Sequence, residues 1–188
     1  MDYQTLTMPQ ILDEAEAIAV DAEQLFGHLN GEQLNWKPGA EQWSIAQCLE
    51  HLINTNREMY MPLDEIIEGR KKKTLWQRMP GIPGIFGKLL VKSQSPESTQ
   101  KFKAVESARP SASGIDAQIV ARFVEHQRGA ITKIRALERF NPANVVITSP
   151  FAKFMVYSAL DGCRLIVVHE RRHFAQAQRV MAAPGFPK

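Results

Sequence analysis

Residues His169-Glu170-Arg171-Arg172-His173 spell H-E-x-x-H. On a helix, residues four apart lie one above the other on one face, so the two imidazoles can grip a single metal ion. The same string is the signature of zincin peptidases, in which the glutamate is the general base. A zincin takes its third ligand downstream of the motif. Residues 174–188 contain no Asp, Glu or His. A third ligand must come from upstream, which makes a zincin-like peptidase the most remote reading of this chain.

On a helical wheel at about 100° per residue, His169 and His173 stand about 40° apart. Gly162, Leu165, Ile166, Gln176 and Val180 cluster around their midline, so the pair sits inside an apolar stripe. A lone histidine there is ordinarily a core residue satisfied by one hydrogen bond. Two of them at i and i+4 must each find a partner in a dry site, and a shared metal supplies it. Among the other histidines, His28 reads as a capping or surface residue and His126 lies in a polar neighbourhood. His51 stands at the edge of an apolar stripe beside Cys48 and Thr55, the best position for a third ligand. Cys48 could add a soft ligand, although Cys48 and Cys163 both read more simply as small buried residues.

Flanking residues have narrower roles. Glu170 lies about 80° from the histidine midline, within reach of a metal-bound water as a base. Its ordinary role would be pairing with Arg171, Arg172 or another helix. Gln176, one turn past His173, is placed to line a pocket, and Arg172 on the other flank could meet an anionic substrate. Trp43 reads as a packing anchor rather than a stacking platform.

Four long helices must position these residues. Ile11, Leu12, Ala15, Ile18, Ala22 and Phe26 recur at three and four, predicting a helix over 9–29. Gly31, Pro38 and Gly39 then mark a loop. Ser44 with Gln47 forms a capping box that opens the second long helix, which Pro62 must kink or end. From 70 to 113 the chain is a long Pro- and Ser-rich connection, with apolar pieces at Leu75-Trp76 and over 85–91 and room for a short helix. Its composition suits a lid. A third helix covers 116–140, stopped by Asn141-Pro142. Val145, Val146 and Ile147 read as briefly extended without a visible partner strand. Ser158 with Asp161 caps a fourth helix that ends before Pro184. The pattern predicts an all-α chain, a four-helix bundle whose long Pro-rich connection joins the second and third long helices.

Composition sets the frame. A chain of 188 residues with 44% hydrophobic and 23% charged side chains reads as one ordinary globular domain, 1–188. No apolar run approaches the roughly 20 residues that span a bilayer, and no signal peptide is visible, so a cytoplasmic location without a membrane partner is expected. Net charge is +3. The basic run Arg70-Lys71-Lys72-Lys73 reads as a solvated helix end or linker, and no nucleic-acid partner is expected.

Two stretches resemble a known family. Leu34-Asn35-Trp36-Lys37-Pro38 followed by Trp43-Ser44-Ile45-Ala46-Gln47-Cys48-Leu49-Glu50-His51-Leu52 resembles the N-terminal signature of the DinB-like (DNA-damage-inducible) superfamily. His169-Glu170-Arg171-Arg172-His173-Phe174-Ala175-Gln176 resembles its second signature. The resemblance implies a four-helix bundle, a divalent metal held by His51, His169 and His173, and a homodimer. It also implies a metal-dependent enzyme, a thiol transferase or a hydrolase, acting on a small molecule that could be a low-molecular-weight thiol. Zinc and nickel suit imidazole ligands, and three ligands leave positions open as a catalytic site requires. The other class of function is a non-catalytic metal-binding or small-molecule-binding bundle. The family name refers to induction by DNA damage and does not imply DNA binding.

Overall fold

The four apolar stripes fold as four long helices that pack in a ring. The computed structural model describes residues 1–72, 74, 77, 81–98, 100 and 103–188. Among these the chain is almost entirely helical: α1 (Met8–Phe26), α2 (Gly31–Asn35), α3 (Ile45–Ile67), α4 (Ile82–Ser93), α5 (Ile119–Leu137) and α6 (Ala159–Met181). Helix α1 packs on α5 and α6, and α3 packs on the same two. Phe174 of α6 meets Phe26 of α1 and Phe123 of α5 edge-on or tilted, at 5.4 and 5.6 Å between ring centroids. No helix among the described residues is long and apolar enough to cross a membrane.

Helix boundaries follow local chemistry. Ser44 and Gln47 exchange backbone-to-side-chain hydrogen bonds of 3.1 and 3.2 Å, which fixes the start of α3 one turn ahead of Cys48 and two ahead of His51. Pro62 removes one helical hydrogen bond, yet α3 runs through it to Ile67. Leu63 and Ile66 continue the buried stripe beyond it, and their burial outweighs the roughly 3 kcal/mol cost of an interior proline. The helix ends at Gly69, whose φ of +69° is the left-handed conformation that glycine adopts without strain. Gly69 and Arg70 then return hydrogen bonds to the carbonyls of Ile66 and Glu65. At the start of α6, Ser158 Oγ accepts from the amide of Asp161 at 3.0 Å. The Asp161 carboxylate takes the Ser158 hydroxyl and Arg164 instead of closing a reciprocal box.

Two features differ from the sequence reading, the loop around Gly31 and the extended segment at 145–147. The loop contains the one-turn helix α2, capped reciprocally by Asn30 and Gln33. The 85–91 apolar piece belongs to α4, the short helix for which the connection had room. Lys73 of the basic run and the Leu75-Trp76 piece lie outside the described residues. The extended segment at 145–147 does have a partner: β1 (Val146–Thr148) pairs antiparallel with β2 (Val156–Ser158), Ile147 opposite Tyr157. The second strand was hidden because its last residue is also the N-cap of α6. Burial of Ile147 and Tyr157 against α6 holds this short ribbon in place.

Helix α4 crosses α6 at Gly87, where an added Cβ would collide with the Asp161 carboxylate that Ser158 and Arg164 hold in place. Gly87→Ala is therefore expected to lift α4 from α6 at a cost of about 1–3 kcal/mol. A lower urea midpoint together with faster tryptic cleavage at Lys88 and Lys92 checks this.

Candidate metal centre

The side chains of α3 and α6 meet at three imidazoles. Potential ligand atoms of His51, His169 and His173 all lie within 4.8 Å of one another. His169 Nε2 is 3.4 Å from His51 Nε2 and 3.1 Å from His173 Nε2. Nitrogens bound about 2.0–2.1 Å from one ion lie about 3.3 Å apart at tetrahedral angles and about 2.9 Å apart at right angles. The two spacings to His169 lie close to these values and all three residues offer a nitrogen within 4.8 Å of the others, so the three residues fit a single small cation.

Backbone chemistry sets the tautomer of His51. Its Nδ1 lies 2.6 Å from the carbonyl oxygen of Ala108, which can only accept, so Nδ1 carries the proton and Nε2 keeps its lone pair. Ala108 closes the short 3₁₀ turn Glu106–Ala108 at the end of the connection. Trp43 stands over the cluster: its ring is 5.7 Å from His173, nearly parallel, and 4.8 Å from His51. The packing anchor of the sequence reading thus also stacks on one imidazole, His173, and meets a second, His51, at a tilt of 54°. Its place just before the Ser44 cap, where a side chain folds back over the first turn, was the available signal.

Burial pushes all three imidazoles below their ordinary range. His169 falls to about 3, lowered further by His51 and Arg172. His173 lies well below its usual value for the same reason, aided by His169 and His51 and opposed by Gln176. His51 is lowered by burial and partly restored by the Ala108 carbonyl. At physiological pH the three are neutral, the state in which imidazole binds metal. Among the described residues His173 Nδ1 is buried without a hydrogen-bond partner in normal geometry, and Gln176 is the polar neighbour one turn away.

A cleft of about 1550 Å³ opens beside the cluster, with Gln176 and Arg172 in its wall. The connection covers it, as its length suggested, but fastened rather than loose. Arg172 donates to the carbonyls of Ser93, Ser95 and Gln100. Gln47 donates to those of Ser111 and Ala112, and Asn54 to that of Arg109. The guanidinium expected to meet a substrate is thus engaged by the chain itself.

Glu170 is placed away from the cleft. It is fully buried, with Oε1 taking Asn56 Nδ2 at 2.7 Å and Oε2 taking Gln127 Nε2 at 3.0 Å. Burial raises its carboxyl to about 7 against the pull of these two amides. Among the described residues Asn56 Oδ1 and Gln127 Oε1 are buried without partners, so a protonated carboxyl has acceptors in the same cluster. A candidate base from its wheel angle, Glu170 packs instead into the helical core, because the 80° offset points it toward α3 and α5. A peptidase needs this glutamate beside the metal. Cys48 is wholly buried, its thiol pushed up to about 12, and it does not belong to the cluster.

A family model described as the DinB superfamily matches residues 15–177, from α1 into α6. No curated protein and no solved structure matches the chain.

His28 is exposed. His126 is half-buried and stacks on Tyr60 at 5.1 Å, far from the trio in contact terms. Burial, then Arg57 and Lys133, push it down to about 4. Between that value and the ordinary 6.5 the unfolded chain binds more protons, so His126 costs stability as pH falls from about 6.5 to about 4. His126→Phe keeps the stacked ring and removes the proton site. The stability of this variant minus that of the parent, both metal-free, should rise as pH is lowered through that window. Urea midpoints at pH 5 and pH 7.5 test the sign.

Proposed function

The chain belongs to the DinB superfamily, and from that membership and the geometry of its histidines we propose a divalent-metal-dependent enzyme acting on a small molecule. The convergence of three imidazoles, with His169 Nε2 at coordination spacing from the other two, carries the reading. His51, His169 and His173 would hold one ion, zinc or nickel by ligand type, on a scaffold we read as a four-helix bundle. Bound there, such an ion supplies Lewis acidity, lowering the pKa of a thiol or of water or polarising a carbonyl.

The protein's own residues do the rest. Ala108 and Trp43 orient the imidazoles, Gln176 borders the open side, and the fastened connection shields the cleft from bulk water. Of the two reactions, thiol transfer is the better supported. Among the described residues Glu41 is the one carboxylate in the cleft wall, and it is exposed. Hydrolysis would need a proton carrier for the leaving group. A thiol, with an ordinary pKa near 8.5, needs little help beyond a nearby cation to ionise.

Elemental analysis of the purified protein should find about one divalent ion per chain. His173→Ala and His51→Ala should each reduce this to background while far-UV circular dichroism keeps its helical signal, because the core of aliphatic and aromatic side chains does not pass through the site. Zinc or nickel retained by both variants would overturn the ligand set. Turnover of a low-molecular-weight thiol with an electrophile, lost in both, separates an enzyme from a binding module.

A further inference from the structure

The cleft beside the histidines is larger than the 300–1,000 Å³ typical of a pocket for one small ligand, and its two ends differ in chemistry. Helices α3 and α6 run antiparallel along it. Gln47 and His51 of α3 lie beside Gln176 and His173 of α6, whereas Met59 of α3 touches Tyr157 at the other end of α6. At 1.5 Å per residue, the wall extends about 6 Å from His51 to Gln47 and about 12 Å from His51 to Met59. The short arm is polar, bordered by Gln47, Gln176 and Arg179. The long arm is mainly apolar, with Met59, Phe151, Met155, Tyr157, Leu165 and Ile166 outnumbering the neutral polar side chains Thr55, Asn56 and Ser149.

Charge is equally one-sided. Lys103, Arg109, Arg172 and Arg179 line the cleft against the single carboxylate Glu41. Among the described residues none of these four cations is ion-paired. A negative charge entering the histidine end gains from all four, because walls of low dielectric focus their field. The long arm offers no polar feature of comparable strength. It rewards apolar surface.

We propose that the cleft takes an amphipathic anion, its anionic head at the three imidazoles and an unbranched or aryl-alkyl tail in the long arm. The arm accommodates about nine carbons, since an extended chain of bonds of about 1.5 Å advances about 1.3 Å per bond. Only the head depends on the metal reading given above. The tail rests on the apolar wall alone.

Straight-chain hydroxamates from two to twelve carbons test this by calorimetric titration of the zinc-loaded and the metal-free protein. Affinity should rise about fourfold per methylene, as each is buried, and level off beyond about nine carbons. In the metal-free protein the whole series should be weaker with the same slope. Met155→Glu, at a half-buried position of the turn between β1 and β2, should bring the long hydroxamates back to the affinity of acetohydroxamate. A series flat in chain length in both forms overturns the tail site. So does a full slope retained in Met155→Glu. A protein that takes up no zinc yet keeps the slope fails the metal reading and leaves the tail site standing.

Discussion

Helix α6 buries or half-buries all five polar side chains from His169 to His173, and a polar group removed from water must be partnered. His169 and His173 point to one side and Glu170 to another. Helix α3 answers both sides with two residues five apart: His51 completes the imidazole cluster, and Asn56 takes Glu170. Gln127 of α5 closes the second cluster and also donates to the carbonyl of Ala15 in α1. All four long helices are thus tied to one small region of α6. Sliding α6 by a turn of about 5.4 Å would strand both clusters at once. Aliphatic packing tolerates exchange and small shifts; paired polar groups in a dry core do not. The register that brings the histidines together is held from an adjacent face of the same helix.

Much of this was readable in the residues. The caps at Ser44 and Ser158, the apolar stripes and the Asn141-Pro142 stop are local signals, and each fixed an element to within a few residues. The histidine pair was legible because its period matches the stripe it occupies. Other features depend on what lies across a packed interface. A wheel gives Glu170 an angle but not the amides waiting at that angle. The Ala108 carbonyl that sets the His51 tautomer comes from 57 residues away, through a main-chain atom that no side-chain pattern reveals. The second strand vanished into a helix cap, and α2 is too short for periodicity to detect.

The connection from 70 to 113 illustrates the limit of composition. Proline, glycine and serine read as loose chain, yet its final stretch is tightly held. Lys37, Gln47, His51 and Asn54 all donate to carbonyls between Ala108 and Ala112, while Glu50 accepts from Ser111. Nearly every fastening comes from the first three turns of α3 or just before them. The helix that carries a candidate ligand also carries the clasp for the strap above it, so ordering one orders the other.

That clasp grips main chain, apart from the Ser111 hydroxyl, which donates to Glu50. The identities of residues 109, 110 and 112 are therefore decoupled from the geometry of the imidazoles they cover. Replacing Arg109 alters the wall of the cleft and leaves the carbonyl of Ala108 where it is. A scaffold fastened in this way can exchange the lining of its cleft, and with it the molecules it accepts, while the histidine cluster is inherited unchanged.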